Sequence, residues 1–322
     1  MTRILGATDA AASGPEHVEE AVAYDAILLA SFGGPEGQDD VIPFLRNVTR
    51  GRGIPEERLE EVAHHYRAFG GVSPINDQNR ELKAALEAEL ARRGIDLPVL
   101  WGNRNWNPYL SDALTEANER GYKKLIAVGT SAYSSYSSCR QYREDYAIAL
   151  EQTGLEGTIQ IDKVRQFFDH PGFVQPFIDG VREGLAKVAA QGIAPEKTHV
   201  LFATHSIPST DAAKSGPESR GFGEGGAYAA QHLAVSEVVM AAQASENPGA
   251  TLPAHSLVYQ SRSGPPSMPW LEPDINDAID ALAADGIDAV VIVPVGFISD
   301  HMEVKWDLDT EALETAGGHN MF

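Results

Sequence analysis

One stretch near the end of the chain concentrates side chains that could hold a metal ion or carry protons. It covers residues 298–311 and comes shortly after the apolar run of residues 289–295. A helix beginning within this stretch places Glu303, Asp307 and Glu311 at i, i+4 and i+8, so three carboxylates share one helix face. Such a row of like charges is unfavourable unless a cation or protons neutralise it. The pattern predicts a metal or proton path, with a solvated face of an acidic helix as the alternative.

A histidine follows a second apolar run, residues 199–204, and is the other candidate for chemistry. Ligands of open parallel sheets bind at the carboxyl ends of the strands. His205 closes this predicted strand, while Asp300, His301 and Glu303 follow the last one. Imidazole and carboxylate groups suit a borderline metal and can accept protons near neutral pH. We expect these groups at one sheet edge, and a core histidine bonded to backbone is the alternative for His205.

The rest of the chain alternates short apolar runs with segments of helical period. Predicted strands cover residues 26–30, 99–103, 124–129, 199–204, 254–260 and 289–295, and predicted helices cover residues 80–93, 111–120, 173–190, 226–244 and 274–284. This βαβ order indicates parallel sheets covered by helices. We predict two similar α/β domains, residues 24–165 and 166–322, after a disordered N-terminal tail of residues 1–23.

Composition excludes several classes of protein. The formal net charge of −21 argues against a nucleic-acid partner, which would need a basic face. No apolar run approaches the roughly 18 to 20 residues of a membrane span, and residues 1–20 lack the features of a secretion signal. Cys139 is the single cysteine, so no intramolecular disulfide can form, which fits a reducing compartment. We expect a cytoplasmic protein.

Other catalytic motifs are absent or out of context. The sequence has no phosphate-binding P-loop and no cysteine and histidine spacing of the zinc type. Gly221, Gly223 and Gly226 match G-x-G-x-x-G, but polar loop residues precede them where a dinucleotide site needs a strand. Ser206 follows His205 without a G-x-S-x-G elbow, which argues against a serine hydrolase.

Six motifs, in order along the chain, resemble those of the ferrochelatase family, specifically the actinobacterial type similar to coproporphyrin III ferrochelatases. They are Leu-Ala-Ser-Phe-Gly-Gly-Pro at 29–35, Gly-Gly-Val-Ser-Pro-Ile at 70–75, Arg-Asn-Trp-Asn-Pro at 104–108, Thr-His-Ser-Ile-Pro at 204–208, Tyr-Gln-Ser-Arg-Ser-Gly-Pro at 259–265 and Gly-Phe-Ile-Ser-Asp-His-Met-Glu at 296–303. The resemblance spans about residues 24–314. It implies two Rossmann-like halves, each a parallel four-stranded sheet flanked by helices, with a porphyrin cleft between them.

The resemblance also implies a reaction, the insertion of Fe²⁺ into coproporphyrin III to give iron-coproporphyrin III in haem biosynthesis. His205 and Glu303 match the family's catalytic iron ligands. His205 must be neutral at the working pH if it is to accept a pyrrole proton. Asp307 and Glu311 then form a path for metal or protons along a helix that is locally widened. We assign His301 and Asp300 to a second layer that orients Glu303.

Porphyrin contacts follow from the same resemblance. Ser73 and Tyr142 match substrate-contacting residues, and Tyr66 and Arg50 align with further residues on the propionate side. Residues 46–67 concentrate five arginines in an acidic protein, and the four carboxylates of coproporphyrin need arginine or hydroxyl donors. A solvated basic helix face is the alternative for any single arginine.

Two positions depart from the pattern of some relatives. Phe32 stands where some bacterial relatives carry a tyrosine near the metal, and its ring has no oxygen to coordinate iron. Cys139 matches a cysteine that ligates a [2Fe–2S] cluster in some relatives, but the other three cysteines, which lie in a C-terminal tail there, are absent from this sequence. The sequence stops at Phe322, earlier than the family usually does. One thiolate cannot hold a four-cysteine cluster, so on this sequence we predict no cluster and no required cofactor, with Fe²⁺ as substrate. The alternative is a truncated chain whose full-length form holds a [2Fe–2S] cluster.

Several alternatives remain open from the sequence. A protoporphyrin IX ferrochelatase, or a cobalt chelatase, would share these motifs but take a different substrate. A non-catalytic porphyrin or haem carrier would keep its function after replacement of Glu303. Membrane attachment is disfavoured because no basic amphipathic helix is apparent. We expect a monomer that binds porphyrin and Fe²⁺ and makes transient contacts with neighbouring enzymes of the haem pathway.

Overall fold

The computed structural model describes residues 22–263 and 267–322, which form two compact units. The N-terminal unit comprises the described residues up to Ser131 together with Ser137–Arg165 and Ser299–Met302. The C-terminal unit comprises Ala132–Tyr136, the described part of Gln166–Ile298, and Glu303–Phe322. Residues 1–21 of the expected tail lie outside the described residues.

The N-terminal unit is built on a four-stranded parallel sheet of order β2-β1-β3-β4. Its strands are β1 (Ala26–Ser31), β2 (Val99–Asn103), β3 (Lys124–Gly129) and β4 (Gln160–Lys163). All six residues of β1 are buried, because helices cover both faces of the sheet at its centre.

The helices of the N-terminal unit pack on both faces of this sheet. They are α1 (Val41–Val48), α2 (Glu56–Ala68), α3 (Ile75–Arg92), α4 (Leu110–Glu119) and α5 (Gln141–Thr153), with a 3₁₀ helix at Gln38–Asp40. A π-helix at Tyr136–Arg140, the first of two, precedes α5. Leu114 and Tyr146 belong to the core under α4 and α5, while Leu86 and Leu90 pack on the opposite face.

The C-terminal unit holds a parallel sheet with three strands among the described residues, in the order β6-β5-β7. They are β5 (Thr198–His205), β6 (Ala254–Gln260) and β7 (Ala289–Val293). The resemblance led us to expect four strands here, so this count was wrong for the described residues, while the parallel α/β architecture is confirmed. The central strand β5 pairs with both neighbours, so its polar end residues lie between two other strand ends.

Helices again cover both faces of the second sheet. They are α6 (Pro171–Ala190), α7 (Ser209–Ala213), α8 (Gly226–Glu246), α9 (Ile275–Ala284) and α10 (Leu313–Gly318), with 3₁₀ helices at Pro195–Lys197 and Glu218–Arg220. The second π-helix, Val304–Ala312, runs directly into α10. In the described ranges, no helix combines the length and apolarity needed to cross a membrane.

Candidate functional site

His205 is anchored through its backbone at the end of β5. In the sheet register it lies opposite Gln260, the last residue of β6. The hydroxyl of Tyr228 donates to the carbonyl oxygen of His205 at 2.8 Å, and the next residue, Ser206, donates its N–H to the carbonyl oxygen of Gln260 at 2.7 Å. The ring Nδ1 donates to the carbonyl oxygen of Ser206. These bonds hold the imidazole in one orientation with Nε2 available for chemistry.

Glu303 stands at the start of the second π-helix. Its carbonyl oxygen accepts a hydrogen bond from the side-chain Nε2 of Gln260 at 2.9 Å, so the residue opposite His205 also holds Glu303. Wider turns in this segment agree with the locally widened helix that the resemblance implied. Thr310 Oγ1 donates to the carbonyl of Lys305 five residues earlier, a spacing typical of a π-helix.

The two candidate metal ligands face each other. His205 Nε2 lies 3.6 Å from Glu303 Oε1, and the two side chains are 33% and 46% exposed. Burial lowers the pKa of His205, but the charge and hydrogen bonding of Glu303 and the Ser206 carbonyl outweigh burial and raise the pKa to about 9. The imidazole is therefore protonated at neutral pH while it pairs with Glu303. A cation bound to Glu303 would remove that stabilisation and favour release of the proton.

Asp307 is the second carboxylate of the predicted path. Burial raises its pKa to about 7, with the charges of Glu303 and Glu311 adding to the shift and the hydroxyl of Ser261 opposing it. Ser261 Oγ donates directly to Asp307 Oδ2. The exposed Glu311 accepts a 2.8 Å hydrogen bond from Trp306 Nε1. The three carboxylates thus influence one another, along a π-helix where we had assumed α-helical spacing.

A buried polar network lies behind β5. Thr204 Oγ1 is 2.9 Å from the hydroxyl of Tyr228 and 3.0 Å from Nε2 of His232, whose Nδ1 donates to the Tyr228 carbonyl at 2.7 Å. Since Nδ1 carries the ring proton, Nε2 accepts a hydrogen bond from the hydroxyl of Thr204. Complete burial lowers the pKa of His232 to about 3. A Cβ at Gly296 would approach Thr204 Oγ1 to 1.9 Å, so glycine is required there.

Comparison with known proteins decides the family. The ferrochelatase family model matches residues 24–322. The chain belongs to the ferrochelatase family. A coproporphyrin III ferrochelatase of Leifsonia xyli is 72% identical over 97% of this chain and 81% of its own length. Proteins of the same description from Tropheryma whipplei and Streptomyces griseus are each 57% identical, covering 100% and 91% of this chain and 81% and 77% of their own lengths.

Two of the porphyrin contacts predicted from the resemblance to ferrochelatases are buried in the N-terminal unit. Ser73 is 4% exposed and donates its N–H to the carbonyl of Pro35 at 2.9 Å. Tyr142 is 3% exposed, and its ring lies 5.3 Å from the guanidinium carbon of Arg104. Burial raises the pKa of the Tyr142 hydroxyl, which bonds to Thr130. Their roles in substrate binding stay predictions.

Tyr66 and Arg50 lie nearer the surface of the same unit. The Tyr66 ring packs edge-on against Phe44 at 5.8 Å, and Arg50 Nη2 donates to Asn47 Oδ1 at 2.5 Å. Three other arginines of residues 46–67 form exposed ion pairs with glutamates, namely Arg46 with Glu56, Arg58 with Glu61 and Arg67 with Glu60. These glutamates offset part of the positive charge that the predicted binding site for the porphyrin carboxylates requires.

The remaining predicted positions all belong to the N-terminal unit. Asp300 is exposed and its backbone N–H bonds to Gln78 Oε1 at 2.8 Å, while His301 is half-buried. Their action on Glu303 stays a prediction. Cys139 is half-buried within the first π-helix. Phe32 is 38% exposed, with its ring against Phe44 and beneath Arg104.

Among the described residues, no group of three or more His, Cys, Asp or Glu side chains could hold a metal ion. The candidate ligands His205 and Glu303 therefore form a pair without a third such side chain among the described residues. Sequence reasoning missed four residues that support them, Tyr228, His232, Gln260 and Ser261. Only the last two lie in a family motif, Tyr-Gln-Ser-Arg at 259–262. Tyr228 and His232 form an i, i+4 pair on α8, but this helix also buries Gln231, Ser236 and Gln243, so no sequence signal distinguishes them.

Proposed function

We propose that this ferrochelatase inserts Fe²⁺ into coproporphyrin III to give iron-coproporphyrin III. The observation that carries the proposal is the pairing of His205 Nε2 with Glu303 Oε1 at 3.6 Å, at the carboxyl end of the central strand β5. The names of relatives 57% to 72% identical to this chain support coproporphyrin III as the substrate.

The proposed chemistry needs a base and an oxygen ligand on one side of the metal. Insertion removes two pyrrole protons while Fe²⁺ loses its water. Glu303 accepts the incoming Fe²⁺ by its carboxylate, and His205 becomes neutral as its charge partner turns to the metal. The neutral imidazole, whose own proton has left to water, then accepts one pyrrole proton, and Asp307 or water accepts the other. The four porphyrin nitrogens bind the Fe²⁺ that Glu303 delivers.

Asp307 and Glu311 are proposed to pass Fe²⁺ to Glu303 or to carry protons away. A carboxyl group with a pKa near 7 exchanges protons readily at neutral pH, which suits this role. Ser73, Tyr142, Tyr66 and Arg50 are proposed to contact the porphyrin, whose four carboxylates require such donors. Asp300 and His301 are proposed to orient Glu303.

Further features of the proposal follow from composition. With one cysteine in this sequence, Cys139, we propose that the chain does not ligate a [2Fe–2S] cluster with four of its own thiolates. Iron and sulfide analysis of the purified protein tests this. A cytoplasmic location, a monomeric state and transient contacts with neighbouring haem-pathway enzymes stay predictions, as does the division into domains at residue 165.

An anaerobic insertion assay tests the function. The purified chain is given Fe²⁺ with coproporphyrin III or with protoporphyrin IX, and Co²⁺ with sirohydrochlorin, and metallation is followed by absorbance. We expect coproporphyrin III to be converted fastest. Equal or faster conversion of protoporphyrin IX or sirohydrochlorin would assign a different substrate. Tight porphyrin binding without metallation of any substrate would identify a carrier.

A further inference from the structure

Ser261 has a backbone conformation that serine rarely adopts. Its φ is +61°, and Asn320 is the one other non-glycine residue with positive φ in the described part of the chain. The left-handed region is unfavourable for residues with a Cβ and is usually occupied by glycine or asparagine. Such a conformation persists only where the surrounding structure maintains it, and often at functional sites.

The conformation changes where two consecutive side chains point. Gln260 ends β6, and in an extended strand the following side chain would point to the opposite face of the sheet. Here both side chains reach the same helical segment. Gln260 Nε2 donates to the Glu303 carbonyl at 2.9 Å, and Ser261 Oγ donates to the carboxylate of Asp307. The left-handed turn at Ser261 breaks the alternation and makes both bonds available together.

We propose that Ser261 is a positioning residue for metal insertion, acting with Gln260 to hold the start of the second π-helix so that Glu303 stays opposite His205 and the Asp307 carboxylate stays oriented behind it. This inference rests on the proposed function. Gln260 also pairs with His205 in the sheet, so the same pair of residues ties both candidate metal ligands to β6.

The hydroxyl suits this task better than other donors. An arginine or lysine bonded to Asp307 would orient it but would also add a positive charge that repels Fe²⁺. A serine hydroxyl donates one hydrogen bond and stays neutral. Glycine would relieve the backbone but has no donor. Serine therefore supplies the neutral hydrogen-bond donor that the site requires, although the left-handed backbone conformation is unfavourable for it.

Two substitutions at this position separate positioning from stability. Ser261→Ala keeps the strained backbone and removes the hydroxyl, whereas Ser261→Gly removes both the hydroxyl and the strain. We expect both to lower kcat/KM for Fe²⁺ by about tenfold, since each loses a hydrogen bond to a carboxylate. The KM for coproporphyrin III should stay unchanged. Ser261→Gly should melt about 2 °C or more above Ser261→Ala. Ser263→Ala, an exposed serine in the same loop, is the matched control.

The outcomes are distinct. Equal loss of activity in two variants that differ in melting temperature supports the inference, because a purely structural role would make activity follow the melting temperature. The inference fails if wild type inserts Fe²⁺ and both variants match Ser263→Ala, or if Ser261→Gly alone retains full activity. If wild type itself does not metallate porphyrin, the proposed function fails, and the role of Ser261 in it fails too.

Discussion

Each unit contains an ion pair that joins the end of a strand to a helix, and the two pairs differ in kind. In the N-terminal unit, Arg104 Nε lies 2.6 Å from Asp145 Oδ2, and the side chains are only 15% and 16% exposed. In the C-terminal unit, His205 and Glu303 lie 3.6 Å apart and are two to three times more exposed. The first pair is short and closed, and the second is long and open to a ligand.

The chemistry of the cations explains the difference. Arginine stays charged at every accessible pH, and Arg104 is further held over the rings of Phe32 and Tyr142. Because Arg104 cannot lose its proton, this ion pair cannot separate to let Asp145 bind a metal ion. Histidine can lose its proton, so the pair of His205 with Glu303 can separate when a cation arrives. The tighter ion pair thus serves the fold, and the looser one is suited to catalysis.

The largest expected effect is on activity at the looser pair. His205→Ala and Glu303→Gln should each reduce Fe²⁺ insertion by about 1000-fold or more, because a metal ligand contributes several kcal/mol and each 1.36 kcal/mol is tenfold. Stopped-flow absorbance with coproporphyrin III measures the rate, and circular dichroism checks the fold. Glu314→Gln, on the exposed side of α10, is the control. Retention of activity in Glu303→Gln would exclude the proposed mechanism.

The next effect concerns the tighter pair and is on stability. Arg104→Met should lower the free energy of unfolding by about 3 to 5 kcal/mol, since it leaves Asp145 buried without its partner. Burial already raises the pKa of Asp145. Urea titration at pH 7 measures the loss. The double variant with Asp145→Leu should recover most of the stability, and its failure to do so would mean that arginine acts through packing alone.

A third prediction tests the buried histidine behind the site. The pKa of His232 is about 3 when folded and near 6.5 when unfolded, so the unfolded state binds the proton first. Above pH 6.5 the neutral His232 costs the folded state nothing. As the pH falls from 6.5 toward 3, the folded state loses stability relative to the unfolded state, and at pH 4.5 this loss is about 3 kcal/mol. Relative to wild type, His232→Gln should therefore gain about that much between pH 7.5 and pH 4.5 in urea titrations.

The smallest expected effect is at Asp307, and its sign is opposite. Its pKa is about 7 when folded and near 3.9 when unfolded, so the folded state loses stability as pH rises from 3.9 to 7. Asp307→Asn should raise the free energy of unfolding at pH 8 by about 2 kcal/mol. This is about half of the free energy that corresponds to the full pKa shift, because the side chain is partly exposed to water. At pH 4 the difference should vanish. Asp309→Asn on the same π-helix is the control, and an equal response of both variants would contradict the prediction.

Much of the fold was predictable because parallel strands buried on both faces appear as continuous apolar runs. Residues 26–30 and 289–295 are examples, and strands are present at both places. The edge strand Gln160–Lys163 was not predicted, because three of its four residues are polar or charged and pairing with β3 alone makes it a strand. Residue types and spacing also singled out His205 and Glu303, which the structure places 3.6 Å apart and whose role in metal insertion stays a prediction. They did not identify Tyr228 or Gln260 as supports, because the hydrogen bonds of Tyr228 to His205 and of Gln260 to Glu303 join residues 23 and 43 positions apart in the sequence.

The sequence by itself determined the family and the alternation of strands and helices, and it singled out the two residues proposed for metal chemistry, since periodicity and motif order are properties of neighbouring residues. Tertiary structure alone decided the pKa values of His205 and His232, which are about 9 and about 3, because burial lowers both but Glu303 outweighs it at His205. It also decided the left-handed turn at Ser261, which the loop accepts because hydrogen bonds to the second π-helix maintain it. Electrostatic environment and strain depend on neighbours in space, and these are set only when the sheet and helices pack.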